Sequence, residues 1–317
     1  MTAVVPDGRV VWGLQLPVQS TSSRYVERWE HDAAADELAQ VARAADRAGA
    51  FYVAVCDHLA IPESEVASMG ATWWHTLTTL GWLAGVTERA RLLSHVYVPA
   101  YRHVLEVAKG FGTLDHLSGG RAILGVGVGH VEAEFETLGV PLRRRGHLLD
   151  EALDELRALW ADAPEPGRHR GSAGTMVVAP APRRPGGPPV WVGGSSAAAR
   201  RRAVERGDGW LPQGPPPEGM RAAVAELREW RAAVRPDDAL DVGAHAPAMH
   251  IGEAPFELGA HDRDGSPEEH AELLRRIVSV GADHVQVRFR ARSAAELCEQ
   301  LEAFGTEVWP LVEAAGR

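Results

Sequence analysis

The 317-residue sequence is poor in residue types that many catalytic and structural motifs require. It contains two cysteines, Cys56 and Cys298, a single lysine, Lys109, and no asparagine. Two cysteines cannot build a disulfide framework and fit a reducing compartment, so we expect a cytoplasmic protein. The lack of asparagine excludes N-glycosylation and a Cys-His-Asn protease. Because Lys109 precedes Gly110 rather than Ser or Thr, a Walker A loop is also excluded.

Long apolar runs and clustered basic charge are lacking as well. No run approaches the roughly 18 to 20 residues that a membrane span needs. The segment 1–11 has no basic region followed by a hydrophobic stretch, so we expect no signal peptide. The net charge of −10 argues against nucleic-acid binding, which needs a concentrated basic surface. We therefore predict neither a membrane nor a nucleic-acid partner.

Metal-binding patterns are missing despite the 14 histidines. No H-E-x-x-H occurs. His130-Val131-Glu132 matches the H-x-E of zinc deaminases, but the C-x-x-C that this chemistry requires is absent. The spacing therefore predicts no metal site.

Short apolar runs alternate with helical apolar patterns along the chain. The predicted strands cover residues 10–16, 51–56, 91–98, 122–126, 190–192, 209–211, 241–251 and 284–289. The predicted helices cover residues 33–48, 73–85, 101–117, 147–160, 197–205, 219–234, 267–280 and 294–315. Asp32 is the predicted N-cap of the first helix, and Gly49 its stop. The segment 161–189 contains seven prolines and is predicted to be a long excursion.

This alternation is typical of parallel strands joined by helices. Open doubly wound sheets and closed barrels share it, and a count near eight favours an α/β fold of the (β/α)8 barrel type. No change of composition marks a boundary, so a single domain over residues 1–317 is predicted.

In such a barrel the active site lies where the strands end. His58, His95 and His130 each lie near the end of a predicted strand, and an imidazole can donate or accept a proton near neutral pH. Each could equally be a structural histidine. The glycine-rich stretches 125–129 and 193–196 also follow strands and could approach a phosphate or simply form tight turns. A weaker alternative makes Ser195 the serine of a nucleophile elbow.

Four segments, 44–58, 87–98, 113–135 and 188–212, together resemble the luciferase-like flavin enzyme superfamily. Within it, they resemble the branch of oxidoreductases that depend on the deazaflavin coenzyme F420. The resemblance implies a (β/α)8 barrel with loop insertions and a cofactor across the strand ends. The phosphate-side residues that it implies are Gly127, Val128, Gly129, Val192, Gly193, Gly194 and Ser195.

The same resemblance implies that the cofactor ring lies against a bulge after the third strand, at Ser94, His95 and Val96. Family members often have a non-proline cis peptide there, which by position would join His95 to Val96. His58 is the implied proton-handling residue, with Asp57 and His130 as further catalytic candidates. Relatives that oxidise alcohols or sugars often carry an acid where this chain has His130; the nearest acids here are Glu132 and Glu134.

The function implied is hydride transfer between F420 and a small organic substrate with an activated double bond or a carbonyl. The alternative is an FMN-dependent monooxygenase that uses dioxygen and a separate reductase. A non-catalytic flavin-binding protein is a third reading. Related barrels usually pair through outer helices, so we expect a homodimer. Seven arginines mildly favour the deazaflavin, whose tail carries carboxylates, or else form a solvated surface: Arg168, Arg170, Arg183, Arg184, Arg288, Arg290 and Arg292.

Overall fold

The structure is a computed structural model that describes residues 4–22, 26–214 and 218–314. The strands are β1 (Val11–Gln15), β2 (Tyr52–Val55), β3 (Arg91–Ser94), β4 (Ala122–Val126), β5 (Gly167–Gly171), β6 (Gly174–Val178), β7 (Val190–Gly193), β8 (Gly209–Leu211), β9 (Asp241–Ile251), β10 (Arg263–Gly265) and β11 (His284–Phe289). The helices are α1 (Ala35–Arg47), α2 (Val66–Met69), α3 (Thr76–Val86), α4 (Val104–Leu117), α5 (Glu132–Thr137), α6 (Arg145–Trp160), α7 (Ala197–Glu205), α8 (Met220–Val234), α9 (Pro267–Val278), α10 (Ala294–Ala303) and α11 (Trp309–Ala314).

Eight parallel strands form a closed barrel in the order β1-β2-β3-β4-β7-β8-β9-β11. The ring closes because β11 pairs with β1 and β8 pairs with β9. The predicted (β/α)8 barrel is therefore confirmed. Since all eight strands are parallel, their carboxyl ends meet at one rim, where the connecting loops converge. Outside the barrel, β10 pairs with β9 alone, and no helix in the described ranges is long and apolar enough to cross a membrane.

The strands are buried on both faces, which explains why their sequences are continuously apolar. Along β2, Tyr52 faces the barrel interior and Val53 faces the helices, following the two-residue period of a strand. The interior cluster includes Leu93, Ile123 and Trp191. Because side chains fill the interior, the open end of the barrel is the place where a ligand can bind.

Most element bounds agree with the sequence prediction, and the differences have local causes. Asp32 is not the N-cap of α1: Ala34 is, and the Glu37 carboxylate accepts its backbone N–H at 2.8 Å. Gly49 does end this helix, with φ +91°. The third strand ends at Ser94 and not at the predicted residue 98. Beyond Ser94, Tyr97 forms an isolated bridge to β4. Residue 315, the predicted end of the last helix, lies outside the described residues.

The predicted excursion 161–189 contains an antiparallel hairpin of β5 and β6 that packs on the outside of α4 and α6. Arg168 and Arg170 are exposed on this hairpin. The backbone N–H of Arg183 donates to Asp115 at 2.7 Å, in the last turn of α4, near the amino ends of the strands. Arg183 therefore lies away from the strand carboxyl ends, which does not support its interpretation as a cofactor contact.

Candidate active site at the carboxyl ends of the barrel strands

His58 follows β2, and a buried carboxylate holds its ring. Its Nδ1 lies 2.9 Å from Oε2 of Glu134, whose side chain is 1% exposed. Glu134 also accepts the backbone N–H groups of Leu59 at 2.6 Å and of Ala60 at 3.2 Å. The hydroxyl of Tyr101 donates to it at 3.1 Å. Four donors thus converge on one carboxylate and fix the position of the imidazole.

The surroundings of Glu134 favour its ionised form. Burial by itself would raise its pKa, but the hydrogen bonds from His58 and from the Leu59 and Ala60 backbone outweigh burial, and the pKa lies below its usual value. Because a carboxylate can only accept hydrogen bonds, Nδ1 of His58 carries the proton in this contact. Its Nε2 remains to exchange a proton with a bound molecule, since none of the described residues bonds to it.

Aromatic rings line the pocket beside His58. The ring of Trp73 meets it edge-on with centroids 4.4 Å apart, and that of His130 does so at 5.6 Å. Nε1 of Trp73 is buried and has no hydrogen-bond acceptor among the described residues. His130 is exposed at the rim. The structure therefore brings two of the predicted catalytic candidates, His58 and His130, to one wall.

Asp57 precedes His58 but takes part in a different set of contacts. Its carboxylate forms a two-pronged ion pair with Arg102, with both N–O distances at 2.7 Å. It also accepts the backbone N–H of Val98 and the hydroxyl of Thr76, each at 2.9 Å. Both oxygens are thus engaged within the protein. These contacts favour a role in fixing the loop after β3, and they do not favour the predicted catalytic role.

The end of β3 carries the three residues predicted to contact the cofactor ring. The hydroxyl of Ser94 donates to the carbonyl of Gly125 at 2.9 Å and accepts its N–H at 3.1 Å, so it joins β3 to β4. The peptide bond between His95 and Val96 is cis, as the resemblance implied. His95 and Val96 are half-buried at the open end. The side chain of Ser94 is therefore used for hydrogen bonds within the barrel wall.

The glycines after β4 and β7 leave room for Val96. A Cβ atom on Gly127 would come within 2.4 Å of Cγ2 of Val96, and one on Gly193 within 2.6 Å of its Cγ1. Gly129 has φ +75°, and a Cβ there would lie 2.9 Å from the ring of Phe135. Larger residues would displace these neighbours. The glycines therefore form a cradle next to the predicted ring site, and the half-buried Val128 lies between two of them.

Gly194 turns the chain from β7 towards α7, with φ +110°. Its N–H donates to the carbonyl of Leu211 at 3.0 Å, and its carbonyl accepts Nε1 of Trp210 at 2.7 Å. The hydroxyl of Ser195 accepts the N–H of Gln213 at 2.9 Å. Both backbone polar groups of Gly194 are therefore used within the protein. Gly194 can therefore affect the predicted cofactor site through the shape of this turn.

The first turn of α7 offers donors for an anion. The hydroxyl of Ser196 caps the helix by accepting the N–H of Ala199 at 3.2 Å. Among the described residues, the backbone N–H groups of Ala197 and Ala198 have no acceptor, and N–H groups at a helix start favour a phosphate. The Val192 side chain, by contrast, packs in the core between strands and helices. It can approach a cofactor only through its backbone.

The arginines after β11 are already paired. Arg290 forms ion pairs with Glu27 and Asp262, and these join three loops at the rim. Arg292 pairs with Glu296 at 2.9 Å. A carboxylated cofactor tail would have to compete with these partners. Over the described residues, no group of three or more His, Cys, Asp or Glu side chains is arranged to hold a metal ion.

The profile of the family described as luciferase-like monooxygenase matches residues 13–260. The chain therefore belongs to this family, and the prediction of an oxidoreductase enzyme of the luciferase-like type is confirmed. It is 30% identical over 204 residues to an uncharacterised protein of Mycobacterium tuberculosis, covering 60% of this chain and 70% of the relative.

Two further proteins widen the comparison. An F420-dependent hydroxymycolic acid dehydrogenase of Mycobacterium tuberculosis is 32% identical over 183 residues, which cover 56% of this chain and 49% of the relative. The crystal structure of an EDTA monooxygenase from Chelativorans sp. BNC1 has a TM-score of 0.78 at 16% identity, covering 97% of this chain and 94% of that one. At this identity the second likeness shows the fold alone.

Sequence reasoning noted Glu134 only as a nearby acid and missed its partnership with His58. A signal was present: Val131, Glu134 and Phe135 recur at the spacing of one helical face, and all three are buried. A carboxylate on an apolar face needs a buried donor. Trp210 and Tyr101 were also missed, because their partners lie far away in the sequence and nothing in their local pattern indicates them.

Proposed function

We propose that the protein is an F420-dependent oxidoreductase that transfers a hydride between the deazaflavin and a small organic substrate with an activated double bond or a carbonyl. The observation that carries this proposal is the His58–Glu134 pair at the strand ends. It presents one ring nitrogen to the cavity in a fixed orientation, as a general acid or base requires. The similarity to a relative named as F420-dependent supports the choice of cofactor.

The residues present fit a tricyclic ring with a phosphate-bearing side chain. Val96 and the cradle of Gly127 and Gly193 provide a tightly packed surface for the ring. The N–H groups of Ala197 and Ala198 would hold the phosphate at the start of α7. Ser195 lies at the same turn and is exposed to solvent.

When bound, the deazaflavin supplies the hydride chemistry, and the chain supplies orientation and a proton path. Nε2 of His58 donates a proton to the substrate in reduction, or accepts one in oxidation. Glu134 keeps Nδ1 protonated through its hydrogen bond of 2.9 Å. Trp73 excludes water from one side of the imidazole.

The second candidate is an FMN-dependent monooxygenase that uses dioxygen and a reductase partner. The description of the family favours it. The third interpretation of the sequence, a non-catalytic flavin-binding protein, is not retained. The His58–Glu134 pair disfavours it, because binding alone does not require an oriented imidazole at the cavity.

The deciding experiment titrates the purified protein with F420 and, separately, with FMN. We expect F420 to bind at micromolar concentration and FMN to bind negligibly. Reduced F420 is then mixed with 2-cyclohexen-1-one as an activated double-bond probe, and deazaflavin oxidation is followed by absorbance without oxygen. Tight FMN binding with negligible F420 binding would overturn the proposal in favour of the monooxygenase. Absence of binding to either would overturn both.

A further inference from the structure

Two histidines from opposite sides of the barrel meet at the bottom of the open end. His95 follows β3, and His245 belongs to β9, the third and seventh strands of the ring. Their rings stack with centroids 5.8 Å apart and planes at 24°. Both residues are largely buried but keep some exposed surface. Below them His284 stacks on Trp191 at 4.2 Å and fills the interior. The His95–His245 pair is therefore the floor of the cavity.

The protonation of His245 follows from its surroundings. Burial lowers its pKa, so the ring is neutral at neutral pH. A hydrogen bond to the backbone of Pro212, whose nitrogen has no hydrogen, assigns one ring N–H to that carbonyl. The second ring nitrogen must then present a lone pair. Among the described residues nothing donates to it, so it can accept a hydrogen bond from a molecule bound at the strand ends.

His95 adds a second neutral ring to this floor. Burial, and then the neighbouring His245, lower the pKa of His95 to about 3. Its Nδ1 is buried and has no partner in the described part of the chain. A neutral floor on which His245 can accept a hydrogen bond is suited to an uncharged molecule that brings its own donor.

We propose that His245 binds the pyrimidine N–H of the cofactor ring, with His95 packed beside it as part of the same surface. F420 and FMN share this chemistry, since the pyrimidine edge of each ring carries an N–H between two carbonyls. The inference rests on the proposed function only for the presence of such a cofactor. His245 is then a binding residue that orients the ring over the strand ends.

The first test measures the dissociation constants of F420 and FMN for three variants by fluorescence titration. His245→Phe keeps an aromatic ring and removes the acceptor, and we expect the better-binding cofactor to bind about tenfold more weakly. His245→Gln can donate to Pro212 and still accept, so its affinity should stay within about threefold of the unaltered protein. His270→Phe is the matched control, because His270 is also buried and bonds to a backbone carbonyl, at 2.9 Å, away from the cavity. Unchanged affinity in His245→Phe would overturn the proposal.

The second test holds even if His245→Phe fails to fold, because its first arm uses the unaltered protein. The better-binding cofactor is compared with the same cofactor methylated at the pyrimidine nitrogen, which removes the donor. We expect at least tenfold weaker binding of the methylated form, and a smaller difference in His245→Gln if its carboxamide accepts less well. Equal affinity of the two forms for the unaltered protein would overturn the assignment.

The two proposals fail in different ways. If the protein binds FMN more tightly than F420, the proposed deazaflavin chemistry is overturned. The role of His245 is then decided by the affinities of its variants for FMN. Preference for F420 with no effect of methylation keeps the deazaflavin proposal and overturns the role of His245.

Discussion

At the scale of single residues, neighbours in the sequence have separate tasks. Asp57 and His58 are adjacent, yet the carboxylate of Asp57 holds Arg102 while the ring of His58 faces Glu134. Neighbouring residues at the end of a strand point in opposite directions, which separates a structural ion pair from a group at the cavity. The chemistry of His58 depends on Glu134, a residue 76 positions away in the sequence.

Replacing His58 with Ala should lower turnover by about 10²–10⁴-fold, the range for a positioned acid or base. Cofactor affinity should change much less, since the cradle and the start of α7 lie on other strands. Steady-state turnover, cofactor titration and unfolding are measured on one preparation. His130→Ala is measured beside it, because His130 is the other catalytic candidate on this wall and its ring is close to His58 but exposed at the rim. Full activity per folded molecule in His58→Ala would exclude the catalytic role.

Replacing Glu134 with Gln tests the orienting carboxylate through stability and its dependence on pH. The pKa of Glu134 is lower in the folded state than its value near 4.5 in the unfolded state. The contribution of this carboxylate to the free energy of unfolding is therefore complete above pH 4.5 and is lost as the pH falls through the folded-state pKa. The unaltered protein should therefore be more stable than Glu134→Gln at pH 7, and the difference should narrow below pH 4.5. Urea unfolding at several pH values measures it. A difference that stays constant with pH contradicts the assignment.

At the scale of elements, the loops after β4 and β7 shape the site through glycine. The turn at Gly194 requires a positive φ, and the neighbouring Gly193 gives space to Val96. The helix α7 then begins with its first N–H groups available for an anion. Because Trp210 and Leu211 bind both polar groups of Gly194, the geometry of this turn is set by β8 as well as β7.

Gly194→Val should weaken cofactor binding at least tenfold, because a branched side chain at positive φ would force the turn to rearrange. Gly174→Val is a matched control: Gly174 has a closely similar φ of +107°, against +110° for Gly194, but lies at the tip of the outer hairpin. Both variants should lose stability by about 1–2 kcal/mol, and only Gly194→Val should lose cofactor affinity. Equal affinity of the two for the cofactor would count against the phosphate site.

At the scale of the whole molecule, the barrel is open at one end and closed at the other. At the amino ends of the strands the buried Asp241 accepts the N–H groups of Val4 at 3.0 Å and Val5 at 3.3 Å. Nε1 of Trp191 donates to the same carboxyl at 3.0 Å. The segment before β1 is thus tied across the amino end of the barrel, and ligands can approach from the other rim.

Burial raises the pKa of Asp241 from 3.8 to about 7, and its three hydrogen bonds lower it only in part. The folded state holds the proton of Asp241 more tightly than the unfolded state does. The contribution of Asp241 to the free energy of unfolding is therefore complete below pH 3.8 and is lost as the pH rises through about 7. Asp241→Asn cannot ionise and should lack this decline. Unfolding free energies of both proteins between pH 4 and 8 provide the measurement. Parallel curves for the two proteins would refute a titrating Asp241.

The predicted homodimer also belongs to this scale. Light scattering on the purified protein should give twice the chain mass of 34.1 kDa at working concentration. A mass equal to one chain would contradict this prediction. The single domain over residues 1–317 likewise stays a prediction, which limited proteolysis can test by the persistence of one undivided fragment.

The sequence by itself determined parallel strands covered by helices, because continuously apolar strands must bury both faces. The number of strands, near eight, then favoured the closed barrel over an open sheet. The sequence also indicated which loops carry the site, since parallel strands place all their carboxyl ends together. Only the tertiary structure decided which polar groups remain for a ligand. Asp57, Ser94 and Gly194 all lie at these ends, yet their polar atoms are used up by partners on other strands or loops. The contacts of His58 with Glu134 and of His95 with His245 join residues distant in sequence, and no local pattern encodes such pairings.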